Sequence, residues 1–126
     1  MKRIISTDDA PEAVGAYSQA TTNGELVFTA GQIPLTPDGE LRDEASVTEQ
    51  TELALSNLKA VLAEAGAEPT DVLKTTVFLA DIDDFDEMNA AYADFFDSEP
   101  PARSAVQAGA LPKGVAVEIE AVASIE

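Results

Sequence analysis

Residues 46–80 read SVTEQTELALSNLKAVLAEAGAEPTDVLKTTVFLA, and this stretch decides the fold. Ser46-Val47-Thr48-Glu49 is a capping box: the serine caps the Glu49 amide, the glutamate reaches back, and a helix starts. Ala54, Leu58, Val61, Leu62 and Ala65 recur at helical spacing, and Gly66 with Pro69 beyond it ends the helix. Residues 71–80 then bring β-branched and aromatic residues in near alternation, which predicts a strand. A second helix follows from the acidic run at 81–84, where negative charge suits a helix N-terminus. Its stripe is Phe85, Met88, Asn89, Tyr92, Phe95 and Phe96, with Asn89 as the odd polar member.

Before this core, residues 2–6 (KRIIS) predict an edge strand and Pro11 to Gly15 a loop. Tyr17–Thr22 and Glu25–Ile33 flank Asn23-Gly24, a dipeptide expected to supply both positive-φ positions of a tight hairpin. Residues 36–40 (TPDGE) predict a turn. Beyond the second helix, 102–107 and 115–125 read as strands. In the last one Val117, Ile119, Ala121 and Ala123 share a face, which leaves Glu118 and Glu120 together on the other.

The order β-β-β-α-β-α-β-β implies a single domain over residues 1–126, of α+β class, with a sheet of about six strands and both helices on one face. The opposite sheet face then has no cover from within the chain. Val27, Val77 and Val122 are expected there, buried against copies of the chain in a homo-oligomer.

Composition narrows the chemistry. The chain of 126 residues has neither cysteine nor histidine, which removes disulfides, thiolate nucleophiles and Ser-His triads. No calcium-loop pattern appears, so neither a metal nor any other cofactor is expected. Twenty-four acids against seven bases leave a net charge of −17, which repels a phosphate backbone; no nucleic-acid partner is expected. The acids are dispersed, a pattern suited to concentrated salt, where screening relieves self-repulsion. No apolar run is long enough to cross a membrane, no membrane partner is expected, and the N-terminus lacks a signal peptide's apolar stretch. A cytoplasmic location is the expectation.

Against that background Arg103 stands out, lying just after Pro100-Pro101-Ala102. It reads either as one half of an ion pair or as a bidentate fork for a substrate carboxylate. Ser104 beside it has no base to activate it. Glu118 and Glu120 are either solvated or, given apolar neighbours, partly buried with a raised pKa suited to proton transfer. Asn89 is a satisfied core amide or a ligand contact. Tyr17 belongs to the core or presents its hydroxyl at a strand end. Gly31 interrupts a strand of larger residues, which often marks close approach by another group.

The segments PEAVGAYSQA, TAGQIPL, QTELALSNLKAVLAEAG, KTTVFLADIDDFDEMNAAYADFF, PARSAV and VEIEAVA resemble, in order and spacing, the RidA family (YjgF/YER057c/UK114) of reactive-intermediate deaminases. The resemblance runs from about residue 3 to residue 124. It implies a chorismate-mutase-like α+β fold and a homotrimer with inter-subunit active sites. It also implies hydrolysis of 2-iminobutanoate and 2-iminopropanoate, which arise from enamine products of pyridoxal-phosphate enzymes, to 2-oxo acids and ammonia. The family's carboxylate-binding arginine falls on Arg103, its glutamate on Glu118, its tyrosine on Tyr17 and its asparagine on Asn89. Gly31 and the backbone of Ala105 fall on its substrate-binding positions. Ala16, Ala30 and Ala105 depart from the residues common in that family. A small-molecule binding module on the same scaffold is the alternative.

Overall fold

The computed structural model describes residues 1–125. Its strands are β1 (Arg3–Ile5), β2 (Ala20–Thr22), β3 (Leu26–Thr29), β4 (Val72–Leu79), β5 (Ala102–Gln107) and β6 (Val117–Ser124). Its helices are α1 (Val47–Glu64) and α2 (Phe85–Phe95). The strands form one sheet in the order β1-β2-β3-β6-β4-β5, so the last strand of the chain is inserted at the middle. Neighbours are antiparallel except β4 and β5, which run parallel and are joined by the crossover through α2.

The alternation in β6 sorts the two faces. Val117, Ile119, Ala121 and Ala123 are buried against the helices, while Glu118, Glu120 and Val122 point the other way and are partly covered. Pairing carries that parity to the neighbours. Val27 lies opposite Ala123 and Val77 opposite Ile119, and both valines are fully buried in the helix-side core with Leu55, Leu58, Val61 and Leu62. The expectation that Val27 and Val77 line the uncovered face is therefore corrected; of the three valines, only Val122 lies there. Phe28, Lys74, Thr76 and Phe78 share that open face.

Local signals also play out. The α1 serine cap forms, with Ser46 Oγ accepting from the Glu49 amide at 3.1 Å; Glu49 answers through the Ser46 hydroxyl at 3.4 Å. The helix closes on Gly66 at φ +91°, with Ala67 N–H on the Leu62 carbonyl and Gly66 N–H on that of Ala63. At the hairpin only Gly24 has positive φ, which corrects the two-residue turn. Instead Asn23 Oδ1 accepts from the amides of Glu25 and Leu26, both at 2.9 Å, so its side chain shapes a longer loop. The acidic run forms a short 3-10 turn, Ile82–Asp84, ahead of α2.

Three buried amides fasten the long loops. Gln19 donates to the carbonyls of Thr7, Ala10 and Pro11; Gln50 to those of Asp43 and Ala45; and Asn57 to those of Ile33 and Leu35. Such loops run over the surface with few ladder bonds, and each side-chain amide supplies partners for carbonyls that the sheet does not reach.

Candidate functional site

The chain enters β5 from Pro100-Pro101, and the strand alternation then aims Arg103 toward the helices, opposite the buried Thr75 of β4. Its guanidinium lies 4.7 Å from the Tyr92 ring centre and 5.3 Å from that of Phe85. Arg103 Nη1 donates to Asn89 Oδ1 at 2.7 Å. Beneath it, the Tyr92 hydroxyl and Thr75 Oγ1 share a 2.6 Å hydrogen bond in the core. Burial raises the Tyr92 pKa, so the ring is a neutral phenol facing a cation. Asn89, Tyr92, Phe96, Pro100, Pro101 and Arg103 line a cavity of about 310 Å³.

The only ion pair among the described residues joins Arg42 to Glu40 at 2.9 Å, so the ion-pair reading of Arg103 finds no carboxylate there. In a chain with 24 acids, that is a notable arrangement. An aromatic seat and one amide contact orient the fork while leaving most of its five N–H donors for an anion.

A second cavity, about 590 Å³, is bounded by Tyr17, Gly31, Ile33, Leu35, Lys113 and Glu118. Here the open sheet face carries Glu118, opposite Phe78 of β4. Partial burial, and then repulsion from Glu120 two residues on, raise the Glu118 pKa. Tyr17 is 55% exposed in the loop before β2, so it is not part of the core, and it lines this cavity. Lys113 stands on the rim in the left-handed region, at φ +56°.

The expected residues therefore fall into two groups. Arg103 and Asn89 share one cavity, and Tyr17, Gly31 and Glu118 share the other. Ala105 lines neither; its side chain packs against the core. Arg103 belongs to the helix side of the sheet and Glu118 to the opposite side, so a single copy does not bring them together.

A family model described as Endoribonuclease L-PSP (Ribonuc_L-PSP) matches residues 7–125. The chain belongs to this family, the RidA (YjgF) group that its motifs resemble. It is 45% identical over 123 residues to the rat protein named 2-iminobutanoate/2-iminopropanoate deaminase, covering 98% of this chain and 90% of that one. It is 45% identical over 122 residues to a RutC family protein of Pyrococcus abyssi, covering 97% and 96%. Among solved structures, yeast Mmf1 matches with a TM-score of 0.96 at 38% identity over the full length of both chains. Escherichia coli TdcF, solved with bound serine, matches at 0.92 and 45% identity over 97% and 98%.

On this RidA-family scaffold three further residues seat the arginine: Phe85 and Tyr92 through their rings, and Thr75 through its bond to the Tyr92 hydroxyl. Phe85 and Tyr92 were visible only as members of the apolar stripe of α2. One signal was available: a tyrosine among phenylalanines on a buried face needs a partner for its hydroxyl. That partner, Thr75, and the cation above the ring come from two other strands, which periodicity along one segment does not reveal.

Proposed function

We propose that this RidA-family protein hydrolyses small 2-imino acids, such as 2-iminobutanoate and 2-iminopropanoate, to 2-oxo acids and ammonia. The observation that carries the reading is Arg103: an oriented guanidinium with no carboxylate partner among the described residues, set in a cavity sized for a small ligand. Its free donors fit a carboxylate through two parallel hydrogen bonds and thereby orient the imine carbon beside it. The names of the rat and Escherichia coli relatives support the substrate class: one is a deaminase of 2-imino acids, and the other was solved with an amino acid.

The remaining chemistry belongs to Glu118. With the imine bound in its protonated, iminium form, the ionised carboxylate accepts a proton from water as the water oxygen bonds to the imine carbon and the C=N π pair passes to nitrogen, giving a neutral carbinolamine. Glu118 then gives that proton to the amino nitrogen. As the C–N bond breaks and ammonia leaves, the carboxylate takes the hydroxyl proton, leaving the C=O of the 2-oxo acid, and the ammonia carries that proton off as ammonium and restores the carboxylate. Tyr17, on the same cavity wall, orients the water or the imine end. Ala105 contributes its backbone to the carboxylate subsite. Because Arg103 and Glu118 occupy opposite sides of one sheet, the site is completed between copies: the arginine cavity of one faces the glutamate cavity of the next, in a homotrimer. Inter-subunit closure also covers the open face that carries Phe28 and Val122.

Imine generated in situ by a threonine dehydratase, in a buffer of concentrated KCl, tests the reading. Keto-acid release should be accelerated by the wild type and lost in Arg103→Ala, with assembly unchanged by light scattering. An Arg103→Ala variant as active as wild type would overturn the role assigned to Arg103. Serine held by TdcF favours a second reading, a binding module for amino or keto acids. Tight 2-oxobutanoate binding without any acceleration would select it. RNA cleavage, suggested by the family description, is opposed by a net charge of −17.

A further inference from the structure

We propose that Gly31 is a positioning residue for Glu118: the missing side chain opens the space in which the Glu118 carboxyl group lies. The inference rests on Glu118 as the proton-moving group, and it assigns Gly31 a role separate from touching the substrate.

A Cβ built on Gly31 would stand 2.7 Å from Glu118 Cδ and 2.9 Å from its Cγ, and would overlap Oε2 outright. No real Cβ tolerates such contacts. Gly31 itself has no left-handed φ, so its backbone would accept alanine without strain. Clearance, and not backbone conformation, is what demands glycine here.

The backbone at this point has little freedom to retreat. Phe28 pairs with Val122 and Gln32 with Ile119, so three residues, 29–31, oppose two, 120 and 121, in a β-bulge. Both ends of the bulge are tied. Gln32 N–H donates to the Ile119 carbonyl at 2.8 Å and Ile119 N–H returns the bond at 3.0 Å. Ala121 N–H donates to Thr29 Oγ1 at 3.0 Å, and Ala30 N–H to the Gln19 carbonyl at 2.8 Å. Added volume at residue 31 therefore moves the flexible carboxyl end of Glu118 and leaves the sheet in place. The groups that face Glu118 in its cavity are Tyr17, Lys113 and Glu12, with Glu120 beside it on β6.

The test compares Gly31→Ala in the wild type and in a Glu118→Ala background. In the wild type, keto-acid release should fall at least about tenfold, the scale of a misplaced acid–base group. Titration of the Glu118 carboxyl carbon by NMR should move down toward an ordinary glutamate as the group is displaced into water. In the Glu118→Ala background, adding Gly31→Ala should leave the melting temperature unchanged, because the overlapping partner is gone. If Gly31→Ala fails to fold, the same double variant should fold and so locate the overlap at Glu118. An unchanged Glu118 titration, or an equal penalty in both backgrounds, would overturn the proposal. If the wild type accelerates no imine hydrolysis, the function is wrong, yet the titration and melting comparisons still decide whether Gly31 positions Glu118.

Discussion

Asn57 offers the sharpest quantitative test of what holds the glutamate cavity in shape. Its side chain leaves α1 almost fully buried, at 2% exposure, and its amide nitrogen donates to the carbonyls of Ile33 at 3.0 Å and Leu35 at 2.8 Å. Ile33 and Leu35 form one wall of that cavity. Asn57→Leu keeps the volume and removes both donors. The two acceptors are not equivalent. The Ile33 carbonyl keeps a second partner, the Leu35 amide at 2.8 Å, whereas Asn57 is the one partner observed for the Leu35 carbonyl. Losing a bond from a group that remains satisfied costs about 0.5–1.5 kcal/mol, and stranding a buried acceptor about 1–3 kcal/mol. The substitution should therefore cost about 2–4 kcal/mol, a large share of the ~5–15 kcal/mol that holds a typical domain together.

For 126 residues at an unfolding entropy near 2 cal/mol/K per residue, each kcal/mol corresponds to about 4 °C. Asn57→Leu should thus melt about 8–16 °C lower than wild type at equal protein concentration. Hydrogen exchange localises the effect. The Thr36 and Arg42 amides close the same loop, donating to Glu40 and Pro34 at 2.9 Å, and their protection should fall more than that of β4. A drop of less than about 2 °C, or a uniform loss of protection, would refute the claim that this amide fastens the cavity wall.

Two other substitutions separate the parts of the site. Tyr92→Phe keeps the ring under Arg103 but leaves Thr75 Oγ1 buried without its 2.6 Å partner, so stability should fall by about 1–3 kcal/mol in denaturant titration while KM rises only a fewfold. Tyr92→Leu, which also removes the cation–ring contact, should raise KM further than Tyr92→Phe; equal KM values would argue against the seat. For Glu118, the working form proposed is the ionised base, and burial raises its pKa. Keto-acid release should then decline as pH falls through a value above that of an ordinary glutamate, and a pH–rate profile of Glu118→Gln should be low and flat.

The sequence carried the element order and the identity of the odd residues, because both are local. A capping box, a glycine stop and a period of two or 3.6 are properties of one segment. Arg103 and Asn89 were legible for the same reason, as polar groups interrupting apolar or small neighbours. What was not local was misread or unseen. Val27 and Val77 were assigned to the open face because alternation states which residues share a face, not which face the helices cover. That depends on β6 being inserted between β3 and β4, so that Val27 meets Ala123 and Val77 meets Ile119. The roles of Gln19, Gln50 and Asn57 depend likewise on loop carbonyls brought from elsewhere in the chain. The same parity places Arg103 level with Thr75 on the helix side and Glu118 level with Phe78 on the other. A one-residue shift of β5 would turn Arg103 to the open face that carries Glu118 and strip it of Tyr92, Phe85 and Asn89. The register that orients the cation is thus the one that separates it from the base. On the function proposed here, a second copy of the chain is the means by which an oriented arginine and a desolvated glutamate come to act on one substrate.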